Sequence, residues 1–173
     1  MAKIDVYLSK EKIQEAVIRL GAQITKDYHN QEVMVVGLLN GSFMFMADLV
    51  RELKLPITLD FISLSSYGSG TTSSGQVKLE LDLRKSIEGK HVLLVEDIID
   101  TGHTMKFLLP FLNERGPASL KLVSLLYKPS RQIYPTKIDY LGFEIEDHFV
   151  IGYGLDLDGK FRELPYIGLY QGE

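Results

Sequence analysis

The chain has 173 residues, 45% of them hydrophobic and 24% charged, which suits one globular domain with a single core. It contains no cysteine, which excludes a disulfide framework, a zinc–cysteine site and a thiolate nucleophile. Lys and Arg number 19 against 23 Asp and Glu, and the net charge of −4 argues against a nucleic-acid partner. With no signal-peptide core and no apolar run near the about 20 residues of a membrane span, we expect a cytoplasmic protein with no membrane partner.

Helices and strands alternate in the predicted secondary structure. The first helix is predicted over residues 9–28, where apolar side chains recur at helical spacing and Ser9 can cap the first turn. The elements that follow are strand 32–39, helix 43–53, strands 56–63, 76–81 and 91–95, helix 102–114, and strands 120–127, 138–143 and 149–152. Pro110 is expected to bend the last helix or to mark its end. The alternation predicts an α/β fold with a mainly parallel sheet covered on both faces.

One segment lacks the apolar side chains that packing requires. Residues 65–75 read SSYGSGTTSSG and include three glycines. Such a composition predicts a mobile loop. Because a loop of this kind can close over a bound substrate, the segment is also a candidate lid.

The segment VLLVEDIIDTGHT, residues 92–104, carries the strongest chemical signal. Parallel sheets bind ligands outside the carboxyl ends of their strands, and Glu96 and Asp97 follow a buried strand here. Paired carboxylates at such a place need partners, and sugar hydroxyls or Mg²⁺ suit them. Residues 100–104 are small and polar and precede a helix, where free backbone N–H groups bind phosphate. The segment therefore predicts a site for a sugar phosphate.

Simpler interpretations exist for parts of this segment. Asp100-Thr101-Gly102 alone is more often the N-cap of a helix than a ligand site. Aspartic proteases also carry Asp-Thr-Gly, but they need two such aspartates, and the Glu96-Asp97 pair has no place in that mechanism. The sequence has no Gly-x-x-x-x-Gly-Lys-Ser/Thr phosphate loop and no complete Gly-x-Gly-x-x-Gly after a strand.

The whole segment resembles the phosphoribosyl-pyrophosphate (PRPP) motif of the type I phosphoribosyltransferases, and its VEDIIDTG form resembles the hypoxanthine–guanine branch. Four further segments resemble that branch in the same order: VGLLNGSFMFMADL (36–49), SSYGSG (65–70), LLYKPSR (125–131) and DHFVIGYGLD…FRELPYIG (147–168). The resemblance implies a mainly parallel twisted sheet flanked by helices, with a small hood formed by the N- and C-terminal segments. It implies a single domain, residues 1–173, with a core of about 30–145 and a hood of about 1–12 and 146–173.

The resemblance also implies a reaction, the Mg²⁺-dependent transfer of the 5-phosphoribosyl group from PRPP to N9 of hypoxanthine or guanine in purine salvage. The products would be inosine or guanosine monophosphate (IMP or GMP) and pyrophosphate. Glu96 and Asp97 would hold the ribose hydroxyls, directly or through Mg²⁺. The 5′-phosphate would be bound by Asp100, Thr101, Gly102, His103 and Thr104. Asp100 would in addition exchange a proton with N7 of the purine, as the catalytic residue.

The resemblance places the purine and the pyrophosphate on other segments. Lys128 would donate to O6 of the purine, Phe149 would stack on its ring, and Asp156 would bind a second Mg²⁺. The implied purine contacts are Ile98, Lys128, Phe149, Val150 and Asp156. The implied pyrophosphate contacts are Leu39, Asn40, Gly41, Ser66, Tyr67 and Arg162. In the family the loop at residues 39–41 contains a non-proline peptide bond that is sometimes cis. Asn40 departs from the family, which often has Lys or Arg at this position for charge or for a subunit salt bridge.

Taken singly, these residues have ordinary explanations. Phe149 and Val150 could belong to the core, Asp156 has the surroundings of a turn, and Arg162 could be a surface charge. Their joint order favours the enzyme. Two rivals are a sibling enzyme for xanthine or adenine, and a PRPP-sensing protein that binds nucleic acid, which the net charge disfavours. The resemblance further implies a homodimer or homotetramer.

Overall fold

A computed structural model describes residues 3–66 and 77–171 of the chain. Three α-helices are formed by the described residues: α1 (Lys10–Asp27), α2 (Phe43–Glu52) and α3 (His103–Asn113). The strands are β1 (Lys3–Leu8), β2 (Val33–Leu39), β3 (Ile57–Ser66), β4 (Val77–Leu81), β5 (His91–Ile99), β6 (Ser119–Tyr127), β7 (Tyr140–Glu144), β8 (Val150–Ile151) and β9 (Ile167–Gln171). Ser9 caps α1, and its Oγ accepts from the Lys12 amide at 3.4 Å, as predicted.

The main sheet has six strands in the order β4-β3-β2-β5-β6-β7. All neighbouring pairs are parallel except β3 and β4, which are antiparallel. The expected mainly parallel sheet is therefore confirmed. The chain leaves β2 toward β3 on one side and later returns through β5 toward β6 and β7 on the other. The switch point of the sheet thus lies between β2 and β5, where ligands of open α/β folds bind.

Two apolar layers explain why β2 and β5 are apolar at nearly every position. Val33, Val35, Leu93 and Val95 pack into a cluster with the buried faces of α1 and α2. The alternate residues of the same strands pack into a second cluster with Met105, Leu108 and Leu112 of α3. Because successive side chains of a strand point to opposite faces, a sheet covered on both sides needs apolar residues throughout.

The two ends of the chain meet in a second, smaller sheet of order β1-β9-β8. Strand β1 pairs antiparallel with β9, and β9 pairs antiparallel with β8. This is the hood that the resemblance implied. The sequence did not predict β1 or β9 as strands, because each is short and its partner lies at the far end of the chain.

Strand β5 is longer than predicted. It was expected to end at Val95, before an acidic loop, but it runs on through Glu96 and Asp97 to Ile99. The reason is its neighbour β6, which continues beside it with Glu96 paired to Ser124 and Ile99 to Tyr127. The acid pair therefore lies inside a strand. Pro110 lies within α3, which continues for three more residues. No helix among residues 3–66 and 77–171 is both long and apolar enough to cross a membrane.

Candidate active site

A cavity of about 380 Å³ opens at the switch point between β2 and β5. It is lined by the end of β2, the end of β5 and the start of α3. All the predicted sugar-phosphate residues line it: Glu96, Asp97, Asp100, Thr101, Gly102, His103 and Thr104. Leu39 and Gly41 of the predicted pyrophosphate site and Ile98 of the predicted purine site line it as well. Ser65, the first residue of the predicted lid, lines the same cavity, together with Leu64 and Val77 on either side of the lid. The rest of the lid, residues 67–75 and the side chain of Ser66, lies outside the described residues.

Glu96 and Asp97 form a carboxylate pair in this cavity. Glu96 is only 6% exposed, and its Oε1 accepts from the Asp97 amide at 3.0 Å. Asp97 Oδ1 accepts from the Ile98 amide at 2.9 Å. Burial raises the pKa of Glu96 well above its usual range, and the nearby charge of Asp97 raises it further. A buried acid beside a second acid favours a ligand that brings positive charge or hydroxyl donors.

The start of α3 forms a seat of free amides. Gly102 is the N-cap residue, with φ 85°, so the simpler interpretation of Asp100 or Thr101 as the N-cap is wrong, although Thr101 Oγ1 accepts from the His103 amide at 3.4 Å. The first helical bond runs from the Lys106 amide to the Gly102 carbonyl at 2.9 Å. Within residues 3–66 and 77–171, the Thr104 and Met105 amides have no acceptor. These amides and the positive end of the helix dipole suit a phosphate.

This seat is braced from outside by residues 133–136. The Thr101 carbonyl accepts from the amides of Ile133 and Tyr134 at 2.9 and 3.0 Å. A side chain at Gly102 would collide with the Tyr134 carbonyl, and its φ is in the left-handed region, so only glycine fits. His103 Nδ1 lies 2.9 Å from Thr101 Oγ1, and its ring meets Tyr134 edge-on. His103 thus belongs to the wall of the seat.

Asp100 and Lys128 directly follow β5 and β6, which end in register. Ile99 pairs with Tyr127, and the Lys128 amide donates to the Ile99 carbonyl at 3.0 Å. Lys128 is 7% exposed, and its Nζ lies 3.5 Å from Asp147 Oδ1. Arg131 Nε donates to Asp100 Oδ1 at 3.0 Å. The hydrogen bond to Asp100 raises the pKa of the Arg131 guanidinium.

The loop at the end of β2 reaches the acid pair. The Leu39–Asn40 peptide is cis, as in the family that the sequence resembles. A side chain at Gly41 would collide with the Asp97 carboxylate, so glycine brings the backbone directly against it. A side chain at Gly154, which has φ 99°, would collide with the Gly41 carbonyl. The acid pair, the β2 loop and the turn after β8 are therefore stacked in van der Waals contact.

Residues 4–158 match the family model of the phosphoribosyl transferase domain. This chain belongs to that family. The hypoxanthine phosphoribosyltransferase of Haemophilus influenzae is 49% identical over 168 residues, which cover 95% of this chain and 94% of that protein. A solved hypoxanthine-guanine phosphoribosyltransferase of Bacillus anthracis is 44% identical, with a TM-score of 0.93 over 99% of this chain and 100% of that one. A hypoxanthine phosphoribosyl transferase of Trypanosoma cruzi, studied for its oligomeric state, matches at 42% identity and a TM-score of 0.90 over 96% and 91% of the two chains.

Four other predicted residues of this phosphoribosyltransferase lie in the C-terminal segment of the hood: Phe149, Val150, Asp156 and Arg162. Phe149 is 53% exposed, so it is no core residue, whereas Val150 is 7% exposed and lies in β8. Asp156 accepts from the Gly159 amide at 2.7 Å and pairs with Arg162 at 2.9 Å. Arg162 also donates to the Gly154 carbonyl at 2.6 Å. Asn40, Lys128, Phe149, Val150, Asp156 and Arg162 do not line the switch-point cavity.

Three residues that contact the predicted site residues were missed by sequence reasoning. Arg131 and Asp147 contact Asp100 and Lys128, and Gly154 contacts the β2 loop. All three stand within the segments LLYKPSR and DHFVIGYGLD, so the signal was present in the resemblance. No role could be assigned to them because each acts on another protein group across segments that are distant in the chain.

Proposed function

We propose that this phosphoribosyltransferase transfers the 5-phosphoribosyl group of PRPP to N9 of hypoxanthine or guanine, forming IMP or GMP and pyrophosphate in purine salvage. In this reaction the bond from C1′ to the pyrophosphate oxygen breaks, the bond from C1′ to N9 forms, and the purine loses one proton. The observation that carries the proposal is that β5 and β6 end in register, so that Asp100 and the buried Lys128 follow the two strands at the same edge of the sheet. The names and the high identity of the relatives support it.

The sugar phosphate would lie along the switch-point cavity. The amides of Thr104 and Met105 and the hydroxyls of Thr101 and Thr104 would bind the 5′-phosphate. Glu96 and Asp97 would hold the ribose hydroxyls. The β2 loop, with Leu39, Asn40 and Gly41, would present its backbone to the pyrophosphate. Arg162, held by Asp156 beside that loop, and Ser66 and Tyr67 of the lid would complete the pyrophosphate site.

The purine would lie between the strand ends and the hood. Lys128 would donate to O6, which selects 6-oxopurines, and Asp100 would take the proton from N7. Ile98 and Val150 would line the ring, and the exposed face of Phe149 would stack on it. Asp156 would meet the far edge of the base. Holding N9 against C1′ removes most of the entropic cost of the encounter, and the lid would exclude water.

We propose Mg²⁺ as the cofactor. No group of three or more metal-ligating side chains exists within residues 3–66 and 77–171, but Glu96 and Asp97 offer two adjacent carboxylates. Mg²⁺ in phosphoryl-substrate sites is commonly held by one or two carboxylates plus substrate oxygens and waters, so the donor set fits. When bound, the ion would neutralise charge on the departing pyrophosphate. A second ion at Asp156 would have to share that carboxylate with Arg162 and the Gly159 amide.

The direct test is a base panel with the purified protein, PRPP and Mg²⁺. We expect hypoxanthine and guanine to be converted to IMP and GMP with equal release of pyrophosphate. Xanthine and adenine separate the sibling enzymes from this one, and a filter-binding assay with RNA and DNA tests the sensor alternative. If no base yields a nucleotide, the proposed function is wrong.

We also propose that a second copy of the chain covers the apolar face of α2 and β3. Phe43, Leu59 and Phe61 are 40%, 44% and 38% exposed there. A side chain at Gly37 would touch both Met46 of α2 and Phe61 of β3, which places the two elements side by side on one face. Exposed apolar patches of this kind mark interfaces, and the family resemblance implies a homodimer or homotetramer.

A further inference from the structure

Two charged side chains outside the proposed substrate contacts connect Asp100 to Lys128. Arg131 Nε donates to Asp100 Oδ1 at 3.0 Å, and Arg131 Nη1 lies 3.6 Å from Asp147 Oδ2. The other oxygen of Asp147 lies 3.5 Å from Lys128 Nζ. The four groups form one chain of alternating charge, and the two proposed purine contacts stand at its ends.

The pairs that Arg131 makes with Asp100 and Asp147 contribute little to holding the fold together, and Lys128 is the one buried member of the four groups. The side chains of Arg131, Asp100 and Asp147 are 45%, 39% and 49% exposed. Ion pairs with that much access to water add little to stability, because solvent screens them and ordering the long side chains costs entropy. An arrangement that contributes so little to stability yet spans two proposed substrate contacts points to a role in the site.

The geometry fixes the direction of the Asp100 carboxylate. Its Oδ1 is occupied by Arg131, while Oδ2 has no hydrogen-bond partner within residues 3–66 and 77–171. Arg131 is itself anchored, because it ends the short 3-10 helix Pro129–Arg131 and its amide donates to the Lys128 carbonyl at 3.2 Å. A planar guanidinium can engage two carboxylates at once from one fixed fork, which a lysine ammonium does less well.

We propose that Arg131 is a positioning residue for phosphoribosyl transfer: it holds Asp100 by Oδ1 and leaves Oδ2 for the purine proton, while Asp147 couples it to Lys128. This inference rests on the proposed function, since it gives Arg131 a part in that reaction. Proton transfer requires hydrogen-bond reach and alignment. Releasing Asp100 should therefore slow turnover without weakening PRPP binding.

The first test compares Arg131→Gln with Arg131→Lys. We expect Arg131→Gln to lower kcat about tenfold, part of the range that a positioned acid or base supplies, with the KM for PRPP changed less than about twofold. Arg131→Lys, which can still pair with Asp100, should recover part of kcat. The matched control is Arg115→Gln, which breaks a pair with Asp82 (2.7 Å) outside the cavity and should keep the wild-type kcat.

The second test is a double-mutant cycle with Asp100→Asn. If Arg131 acts through Asp100, adding Arg131→Gln to Asp100→Asn should cause no further loss of kcat. The positioning role is overturned by a wild-type kcat in Arg131→Gln, by the same fold-loss in both backgrounds, or by a lowered melting temperature that accounts for the loss. Should Asp100→Asn fall below detection, the contrast between Arg131→Gln, Arg131→Lys and Arg115→Gln decides. A wild-type chain without transferase activity would overturn the proposed function as well, whereas a failure confined to the variants overturns only the positioning role.

Discussion

At the scale of single residues, Glu96 combines two unfavourable circumstances. It is almost fully buried, and Asp97 stands next to it, so its pKa is raised. In the absence of ligand such a carboxylate destabilises the folded state, because the unfolded chain solvates it better. Residues under this kind of strain are common in binding sites, where the ligand relieves it.

We therefore expect Glu96→Gln to stabilise the ligand-free protein and to weaken its binding of PRPP. The amide oxygen of glutamine can still accept from the Asp97 amide, while the buried charge is lost. The free energy of unfolding in urea should rise by about 0.5–2 kcal/mol, the range gained when functional strain is removed. The KM for PRPP should rise at the same time. A less stable variant would show that Glu96 is a structural residue.

Lys128 is the second residue whose replacement should have a specific effect, in this case on the binding of the purine. Replacing it with methionine keeps most of the buried stem but removes the proposed donor to O6. A hydrogen bond from a charged group contributes about 1.5–3 kcal/mol, so the KM for hypoxanthine should rise by about tenfold or more while the KM for PRPP stays nearly constant. Lys121→Met is the matched control, because Lys121 lies near the start of β6, the strand that Lys128 directly follows, and pairs with Asp27. Equal effects of both variants on hypoxanthine would rule out a specific role for Lys128.

At the scale of elements, the turn after β8 lies directly against the loop after β2. Gly154 combines φ 99° with contact to the Gly41 carbonyl, so Gly154→Ala meets both backbone strain and a collision. Gly159 has φ 77° but no atom near the position of an added Cβ, so Gly159→Ala carries the strain alone. Comparing the two variants separates the effect of the collision with Gly41 from the effect of backbone strain.

We expect Gly159→Ala to lower the free energy of unfolding by about 1–3 kcal/mol, as forced left-handed residues do, with little change in the KM for PRPP. Gly154→Ala should be at least as destabilised and should also raise the KM for PRPP, because the collision displaces the loop at Gly41. Steady-state kinetics beside thermal melts separate the two effects. If both variants bind PRPP alike, the contact between turn and loop does not serve the pyrophosphate site.

Most of the helices and strands could be predicted from the sequence, but two features of the strands could not. The six strands of the main sheet and the three helices were predictable because apolar runs and helical spacing mark them locally. Strand β1 was not, because its pairing with β9 spans nearly the whole chain. The extension of β5 through Glu96 and Asp97 was missed for a related reason: two acids break an apolar run, and only the neighbouring β6 explains why the ladder continues.

In the candidate site, the parts formed by one continuous segment could likewise be predicted, and the parts formed by distant segments could not. The phosphate seat could be predicted because strand, acids, glycine and helix follow one another within residues 92–104. Lys128 was found through the resemblance alone, since nothing in its own segment reveals that β6 ends in register with β5. The link from Arg131 to Asp100 and Asp147 joins three segments through side-chain atoms, and no local pattern encodes such a contact.

At the scale of the whole molecule, the apolar face of α2 and β3 predicts an assembly. The wild-type protein should elute and scatter light as two or four 19.6 kDa chains. Phe61→Lys should shift it toward the single chain, because a desolvated lysine opposes association. Val6→Lys is the matched control, since Val6 is 58% exposed but lies in β1 of the small sheet. A monomeric wild type would show that the chain forms no such interface. Dissociation by Val6→Lys but not by Phe61→Lys would show that the interface lies on another face.

The stacked glycines have a consequence for any attempt to redesign this protein. The turn at Gly154 lies on the backbone of the loop at Gly41, and that loop lies on the Asp97 carboxylate, so two glycines without side chains bring three segments together. A laboratory library that varies residues 152–156 to accept a new base would also move the backbone that is proposed to hold the pyrophosphate. Variants that are selected for base preference should therefore also show an altered affinity for PRPP, unless Gly154 is left unchanged. Selection for a new base therefore also changes the binding of PRPP.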